Sequence, residues 1–311
     1  MSYTTRIKEE ISSIQNTKSE TIAELAGFIR NNGTIANESI ALTTENKKTV
    51  ERIINFIKTE YEADVQVDTK DNANFSKKEL VVMYINSKVD LILKDIGFID
   101  ANGNYLSTPP TYIVGANEEI RAYLRGVFLC CGSINDPKTS RYHMELLIST
   151  PEEAVFVQKL LNIFDLNAKI LNRDKGYMIY LKEAEKISDY IKILGANNAV
   201  MYFENVRIYR EQKNKTNRLN NCEQANIDRV VATATSQLEQ IRIIEETSSI
   251  DLLDDKTKET LEYRKKYPEA SLKELSEIIS LETSKPITKS GLNHRLRKIK
   301  ELADRLAKQD K

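Results

Sequence analysis

The sequence has few of the residues from which metal sites and disulfide frameworks are built. It contains no tryptophan, two histidines (His143 and His294) and three cysteines (Cys130, Cys131 and Cys222). Two of the cysteines are adjacent and the third is distant, so they fit neither a disulfide framework nor the ligand spacing of a zinc site. We therefore expect no cofactor and no metal site.

The sequence also lacks a long hydrophobic run and an excess of charge of either sign. No apolar segment approaches the ~18 residues that a membrane-spanning helix needs. The start, Met1-Ser2-Tyr3-Thr4-Thr5-Arg6, lacks the apolar stretch of a signal peptide. Lysine and arginine total 46, as do aspartate and glutamate, so a nucleic-acid contact requires a local excess of positive charge. We expect a cytoplasmic, globular protein without a membrane partner.

What the chain does have is one nine-residue motif written twice. Residues Leu25–Gly33 and Leu124–Gly132 both read Leu-x-Gly-apolar-apolar-x-x-x-Gly, and the copies begin 99 residues apart. This spacing is typical of a duplicated small domain. Because glycine has no side chain, the first glycine of each copy predicts a close approach of two helices, and the last predicts a left-handed helix end.

The motif resembles the helix motif of the LAGLIDADG homing endonucleases, whose two copies pack against each other in the middle of a DNA-binding saddle. The resemblance implies an acid just before the final glycine of each copy, where it holds divalent metal ions. Here Asn32 and Cys131 occupy these two positions. Hard cations such as Mg²⁺ prefer carboxylate oxygens. We therefore predict a nuclease scaffold without nuclease activity, and no enzyme.

The residues after each motif copy predict the same order of elements in both halves. The first motif helix is predicted to begin with a capping box of Thr21 and Glu24, and a polar loop is predicted at Thr69–Lys78. The predicted fold class is α+β, with a duplicated αββαββα saddle domain over residues 21–206. Its repeats span about 21–100 and 117–200, and an N-terminal helix lies in residues 1–20.

A second, all-α domain is predicted in residues 222–311, after a basic linker at 207–221. It begins with a long amphipathic helix. Ser271 and Glu274 form the capping box of a later short helix. A third helix begins near Thr288, and the order of the last helices resembles a helix-turn-helix DNA-binding module.

The third helix carries the local excess of positive charge. Residues 285–308 contain eight lysine and arginine residues and two acids. In a recognition helix the N-terminal residues face base edges, which predicts contacts to bases from Ser290, Asn293, His294 and Arg297. Contacts to phosphates are predicted from Lys289, Arg295, Lys298 and Lys300. The alternative is a solvated basic face on an ordinary C-terminal helix.

The whole chain resembles the WhiA family. The resemblance is carried by Arg6–Ile11, Leu124–Leu129, Asn221–Asn226 and, most specifically, Lys289–Lys298. It implies a protein that binds double-stranded DNA at the nucleoid and acts in transcription, cell division and chromosome segregation, and in sporulation where the host makes spores. The segment Arg30-Asn31-Asn32 departs from the residues that first repeats of the family often carry, which leaves open whether this half of the saddle contacts DNA.

Several alternatives stay open at this point. The chain could be an active metal-dependent nuclease that uses other acids, or its saddle could have become a docking domain for a ligand or for another transcription or cell-division protein. Arg30 and Arg125 could pair with acids at the helix ends or could face DNA. Cys130 and Cys131 lie in an apolar helix, which favours packing over reactivity.

Overall fold

The computed structural model describes residues 1–36, 38–70, 79–139 and 141–309. These residues form two compact units, Met1–Arg210 and Glu211–Lys311. The boundary falls inside the predicted linker at 207–221, but that segment is helical, because one helix runs without a break over Asn197–Glu246. Among the described residues, no helix combines the length and the apolar composition that crossing a bilayer requires.

The first unit contains two repeats of the order αββαββα, which confirms the predicted fold class. A short helix, α1 (Tyr3–Ile11), precedes them, and a 3₁₀ turn at Thr111–Val114 separates them. The first repeat consists of α2 (Lys18–Asn32), β1 (Thr34–Ala36), β2 (Ser39–Thr44), α3 (Lys47–Tyr61), β3 (Val65–Lys70), β4 (Leu80–Ile85) and α4 (Val89–Asp95). The second consists of α5 (Asn117–Cys131), β5 (Gly132–Ile134), β6 (Met144–Ile148), α6 (Pro151–Ile163), β7 (Lys169–Arg173), β8 (Gly176–Leu181) and α7 (Ala184–Leu194).

Each repeat forms an antiparallel sheet of four strands, with the orders β1-β2-β4-β3 and β5-β6-β8-β7. Successive side chains of a strand point to opposite faces, and one face of each sheet is buried: Ile40 and Leu42 on β2, and Leu146 on β6. The predicted loop at Thr69–Lys78 starts too early, because Thr69 and Lys70 still pair with β4. Residues 71–78 of that loop lie outside the described residues.

The two motif helices, α2 and α5, cross at the first glycine of each copy. A Cβ atom on Gly27 would lie 2.3 Å from the carbonyl oxygen of Tyr123, and one on Gly126 would lie 2.0 Å from the carbonyl oxygen of Glu24. No side chain fits in either place, so the predicted close approach of two backbones is confirmed.

The prediction for the last glycine of each copy is wrong. Gly33 and Gly132 have extended backbones, with φ values of −72° and −87°, and are not left-handed. The reason is that a strand follows each motif helix at once. Glycine is still required there, because a Cβ atom would lie 2.6 Å from the carbonyl oxygen of Ile29 in one case and 2.1 Å from the Phe128 ring in the other.

The predicted capping box of Thr21 and Glu24 is also wrong, because α2 begins one turn earlier. Thr17 and Glu20 form that box, and Glu24 is fully buried. Its carboxylate accepts a bond of 2.8 Å from the Arg52 guanidinium and one of 3.2 Å from Nε of Arg125. Two guanidinium groups thus compensate one buried charge, which would otherwise be costly.

Both arginines whose direction the sequence left open form bonds within the first unit. Arg125 pairs with Glu24 on the opposite motif helix. Arg30 donates to the carbonyl oxygens of Gly97 and Leu106, at 2.5 Å and 2.6 Å. Both side chains therefore tie the motif helices to the surrounding chain.

The second unit is all helical. The last part of α8 (Asn197–Glu246) is followed by a 3₁₀ turn at Ile250–Leu252 and by α9 (Asp255–Lys266), α10 (Leu272–Thr283) and α11 (Lys289–Gln309). The capping box of Ser271 and Glu274 is present as predicted. The helices of this unit share a core that includes Ile241, Ile244, Leu261, Leu275, Ile279, Leu292, Leu296, Ile299 and Ala303.

Polar contacts fix α11 against its neighbours. Oγ of Ser280 in α10 accepts the N–H of Ile287, which lies in the turn before α11, at 2.9 Å. Farther along, Nζ of Lys298 donates to the Asp254 carboxylate at 2.9 Å, and Asp254 also caps α9 by accepting the N–H of Thr257. The bond from Lys298, together with the bonds from Thr257, lowers the pKa of Asp254 to about 2.

We predict opposite effects of the same substitution at two glycines. Gly126→Ala forces α2 and α5 apart, since the added methyl group would overlap backbone atoms, and should lower the free energy of unfolding by about 1–3 kcal/mol. Gly291→Ala, whose Cβ would lie at an ordinary 3.5 Å from Oγ1 of Thr288, should raise it by about 0.5 kcal/mol. Urea unfolding, with amide hydrogen exchange to read each unit separately, measures both. Equal effects would contradict the helix crossing.

We also predict that Lys298→Met raises the pKa of Asp254 from about 2 toward its ordinary value of 3.8. A carboxylate with a lowered pKa stabilises the fold above its unfolded-state pKa, and this contribution is lost as the pH falls through the folded-state value. The stability difference between wild type and variant should therefore shrink below about pH 4. NMR titration of the Asp254 carboxyl group measures the pKa. Lys308→Met is the control and should leave it unchanged.

Candidate nucleic-acid interface

The candidate interface lies at the start of α11, where the chain leaves the turn after α10. Oγ1 of Thr288 accepts the N–H of Gly291 at 3.1 Å, so Thr288 caps the helix. The residues that follow are polar on one face and apolar on the other, because Leu292, Leu296 and Ile299 are buried in the domain core.

Six of the eight predicted contact residues share the exposed face of α11. Residues three and four apart lie on the same side of a helix, and all six side chains are solvent-exposed: Lys289, Ser290, Asn293, His294, Arg297 and Lys300. Arg297 lies 3.4 Å from the Glu301 carboxylate, with 67% of its side chain exposed. A surface pair of this kind is weak, so Arg297 can exchange Glu301 for another partner.

The other two predicted phosphate contacts, Arg295 and Lys298, form bonds inside the domain. Arg295 donates to the carbonyl oxygen of Lys256 at 3.2 Å and to Oγ1 of Thr260 at 3.3 Å. Lys298 bonds to Asp254, as described above. Both side chains hold α11 against the start of α9, a role that the periodicity of α11 alone did not indicate.

Asn32 and Cys131, where the resemblance to homing endonucleases implies metal-binding acids, are the last residues of the two motif helices. The Asn32 amide donates to the carbonyl oxygen of Thr43 at 2.8 Å, and its oxygen accepts the N–H of Thr43 at 2.6 Å. Sγ of Cys131 donates to the carbonyl oxygen of Val127 at 3.1 Å. Among the described residues, no group of three or more His, Cys, Asp and Glu side chains could hold a metal ion.

The outer faces of the two sheets carry little charge. On the first sheet, among the side chains that the structure describes, the one charged group is Asp68, which lies beside Val82 in the register. On the second sheet, Glu145 lies beside Tyr180, Tyr180 lies beside Lys169, and Arg173 lies beside Gly176. Among the described side chains, the first face therefore carries no cation and the second carries two, Lys169 and Arg173, so neither has the dense positive charge typical of contact with DNA phosphates.

The sequence assigned no function to Arg229 on α8 or to Lys273 on α10. In the structure both line a cavity together with Lys289, the first residue of α11. The capping box at Ser271 predicted the start of α10, but no local pattern indicated that α8 would bring Arg229 to it.

Comparisons with known proteins agree across the chain. Family models match in three consecutive parts: a WhiA N-terminal LAGLIDADG-like domain at residues 18–99, a WhiA LAGLIDADG-like domain at 120–213 and a WhiA C-terminal HTH domain at 216–303. The chain is 39% identical over 313 residues to a probable cell division protein WhiA of Enterococcus faecalis, covering 98% of each chain. It is 39% identical over 315 residues to that of Staphylococcus haemolyticus, covering 100% of this chain and 99% of the relative.

The fold is also similar to a solved structure. Full-length DUF199/WhiA from Thermatoga maritima aligns with a TM-score of 0.61 at 22% sequence identity, over 98% of this chain and 99% of that one. A LAGLIDADG-like fold with a helix-turn-helix domain, three family models in order and full-length relatives lead to one conclusion. The chain belongs to the WhiA family.

Proposed function

We propose that this chain is a DNA-binding transcriptional regulator that reads duplex DNA through α11. The observation that carries the proposal is the exposed polar face of α11, where six basic or hydrogen-bonding side chains lie together at the start of the last helix of a helix-turn-helix domain. The opposite face of the helix is buried, so the domain core holds the helix backbone that carries these side chains.

The proposed roles follow from position along the helix. Ser290, Asn293, His294 and Arg297 lie in the N-terminal half, which meets base edges in the major groove. An asparagine amide matches adenine and a guanidinium matches guanine. Lys289 and Lys300 lie at the two ends of this face and contact phosphates, which adds affinity without sequence information.

We further propose that the saddle does not cleave DNA. Both polar atoms of the Asn32 side chain are engaged by the backbone of Thr43, and a thiol at Cys131 is a poor ligand for a hard cation. The outer sheet faces, with few cations, do not favour a second long DNA contact. The partner of this chain is therefore double-stranded DNA bound by the second unit.

One feature of the saddle favours a second role, the docking of another transcription or cell-division protein. Leu147 lies beside Met178 in the register, and Met178 lies beside Leu171. Leu147 and Leu171 are exposed, while Met178 between them is 7% exposed, so two apolar side chains on the outer face of the second sheet meet solvent. Exposed apolar side chains that lie close together are frequent at protein interfaces.

The biological role that we propose follows the names of the relatives, which are probable cell division proteins. A protein that reads duplex DNA is placed at the nucleoid. There the chain regulates genes for cell division and chromosome segregation, and for sporulation where the host makes spores.

The first prediction for this function concerns salt dependence in the full chain. Each phosphate contact contributes a slope of about −0.9 in log affinity against log salt. The variant Lys289→Gln with Lys300→Gln should therefore lose about 1.8 of the slope. The matched control, Lys169→Gln with Arg173→Gln on the outer face of the second sheet, should keep the full slope. A loss of salt slope in the control variant alone would show that DNA binds to the saddle.

The second prediction concerns sequence preference. Asn293→Ala and Arg297→Ala should each weaken binding to a preferred site by about 1–3 kcal/mol and should change binding to random duplex much less. Fluorescence anisotropy on selected and random duplexes measures both affinities. Incubation of the same duplexes with Mg²⁺ should leave them intact, and cleavage would show that the saddle is an active nuclease.

A further inference from the structure

The cavity at the start of α10 has the composition of an anion site. It measures about 230 Å³ and is lined by Arg229, Val230, Thr233, Arg264, Ala270, Ser271, Leu272, Lys273 and Lys289. All of these residues are described, and four are basic while none is acidic. The four come from α8, α9, α10 and α11, so the second unit brings one cation from each of its helices to one place.

The start of α10 supplies backbone donors to this cavity. The first N–H groups of a helix have no partner within the helix and carry the positive end of its dipole. Here the capping box uses the N–H groups of Ser271 and Glu274. The N–H groups of Leu272 and Lys273, both in residues that line the cavity, are the remaining donors of this first turn. A 12-residue helix of this kind is a common anchor for phosphate groups.

Arg264 is the independent observation that indicates an anion. Its side chain is 1% exposed, and Nη1 donates to the carbonyl oxygen of Ala270 at 2.7 Å. Its Nε is buried and has no hydrogen-bond partner among the described residues. Burial lowers the pKa of this guanidinium, because a charge removed from water is destabilised unless it is paired. An anion in the cavity would compensate that charge.

We infer that this cavity binds a phosphate group, held by Arg229, Lys273 and Lys289 above the N–H groups of Leu272 and Lys273, with the buried guanidinium of Arg264 beneath. Lys289 also begins the proposed recognition face, so a DNA backbone phosphate seated here would set the register of α11 on the duplex. The assignment of this phosphate to a DNA backbone rests on the proposed function. The binding of a phosphate group by the cavity does not.

The test uses the full chain and two probes. Inorganic phosphate, titrated against chloride at constant ionic strength, should shift the ¹⁵N resonances of the Arg264 Nε–H and of the Leu272 and Lys273 amides. Random duplex DNA, titrated over a salt series, gives the slope of log affinity against log salt. Arg229→Gln with Lys273→Gln should remove about 0.9 of the salt slope and lower affinity on every sequence alike, with the ratio of specific to random binding unchanged.

The matched control is Arg305→Gln with Lys308→Gln, which removes the same two side-chain types from the last turns of α11. Lys308 is roughly 28 Å along the helix from Lys289. Loss of slope beyond this control, with or without the phosphate shifts, identifies a DNA backbone phosphate. Phosphate shifts without that loss identify a free phosphate-bearing ligand. Absence of both overturns the inference.

The two proposals fail separately. If the wild-type chain shows no salt-dependent DNA binding at all, the proposed function is overturned, and the phosphate titration still decides whether the cavity is an anion site. If the chain binds DNA and the phosphate site is absent, the base-contacting variants on α11 still lose their sequence preference.

Discussion

The saddle depends on the contact between the backbones of α2 and α5 at Gly27 and Gly126. The missing Cβ atoms let the carbonyl oxygens of Tyr123 and Glu24 occupy space that any side chain would fill. This close crossing places Glu24 where it pairs with Arg125 from the opposite helix and Arg52 from α3. The two repeats are thereby joined by packing and by one buried ionic network, and each sheet presents an outer face that has few cations.

The second unit is held together by a core of aliphatic side chains. Two polar contacts also fix α11: Ser280 accepts the N–H of Ile287 just before the helix, and Asp254 accepts a bond from Lys298 within it. The outer face of that helix presents Lys289, Asn293 and Arg297 to solvent. A helix whose backbone is already ordered by the core loses little backbone freedom on binding, which favours the second unit as the DNA-reading part of the chain.

Asn32 and Cys131 occupy the positions where the resemblance to homing endonucleases implies metal-binding acids. An amide at Asn32 does what a carboxylate could not, because it both donates to and accepts from the Thr43 backbone. It therefore stabilises the junction of α2 with the first sheet. The fold itself requires the close helix crossing at Gly27 and Gly126, where a Cβ atom would overlap backbone atoms.

The sequence by itself determined the duplicated αββαββα order, the helix-turn-helix and the start of α10, because repeats, amphipathic periodicity and the Ser271 capping box are local patterns. It could not determine the true start of α2, the extended Gly33 and Gly132, or the partners of Arg295 and Lys298. Those depend on atoms far apart in the chain: a strand edge, a buried carboxylate and the start of α9. For the same reason, only the tertiary structure brought Arg229 and Lys273 to the cavity that Arg264 lines, since the three side chains belong to three helices that meet only in the fold.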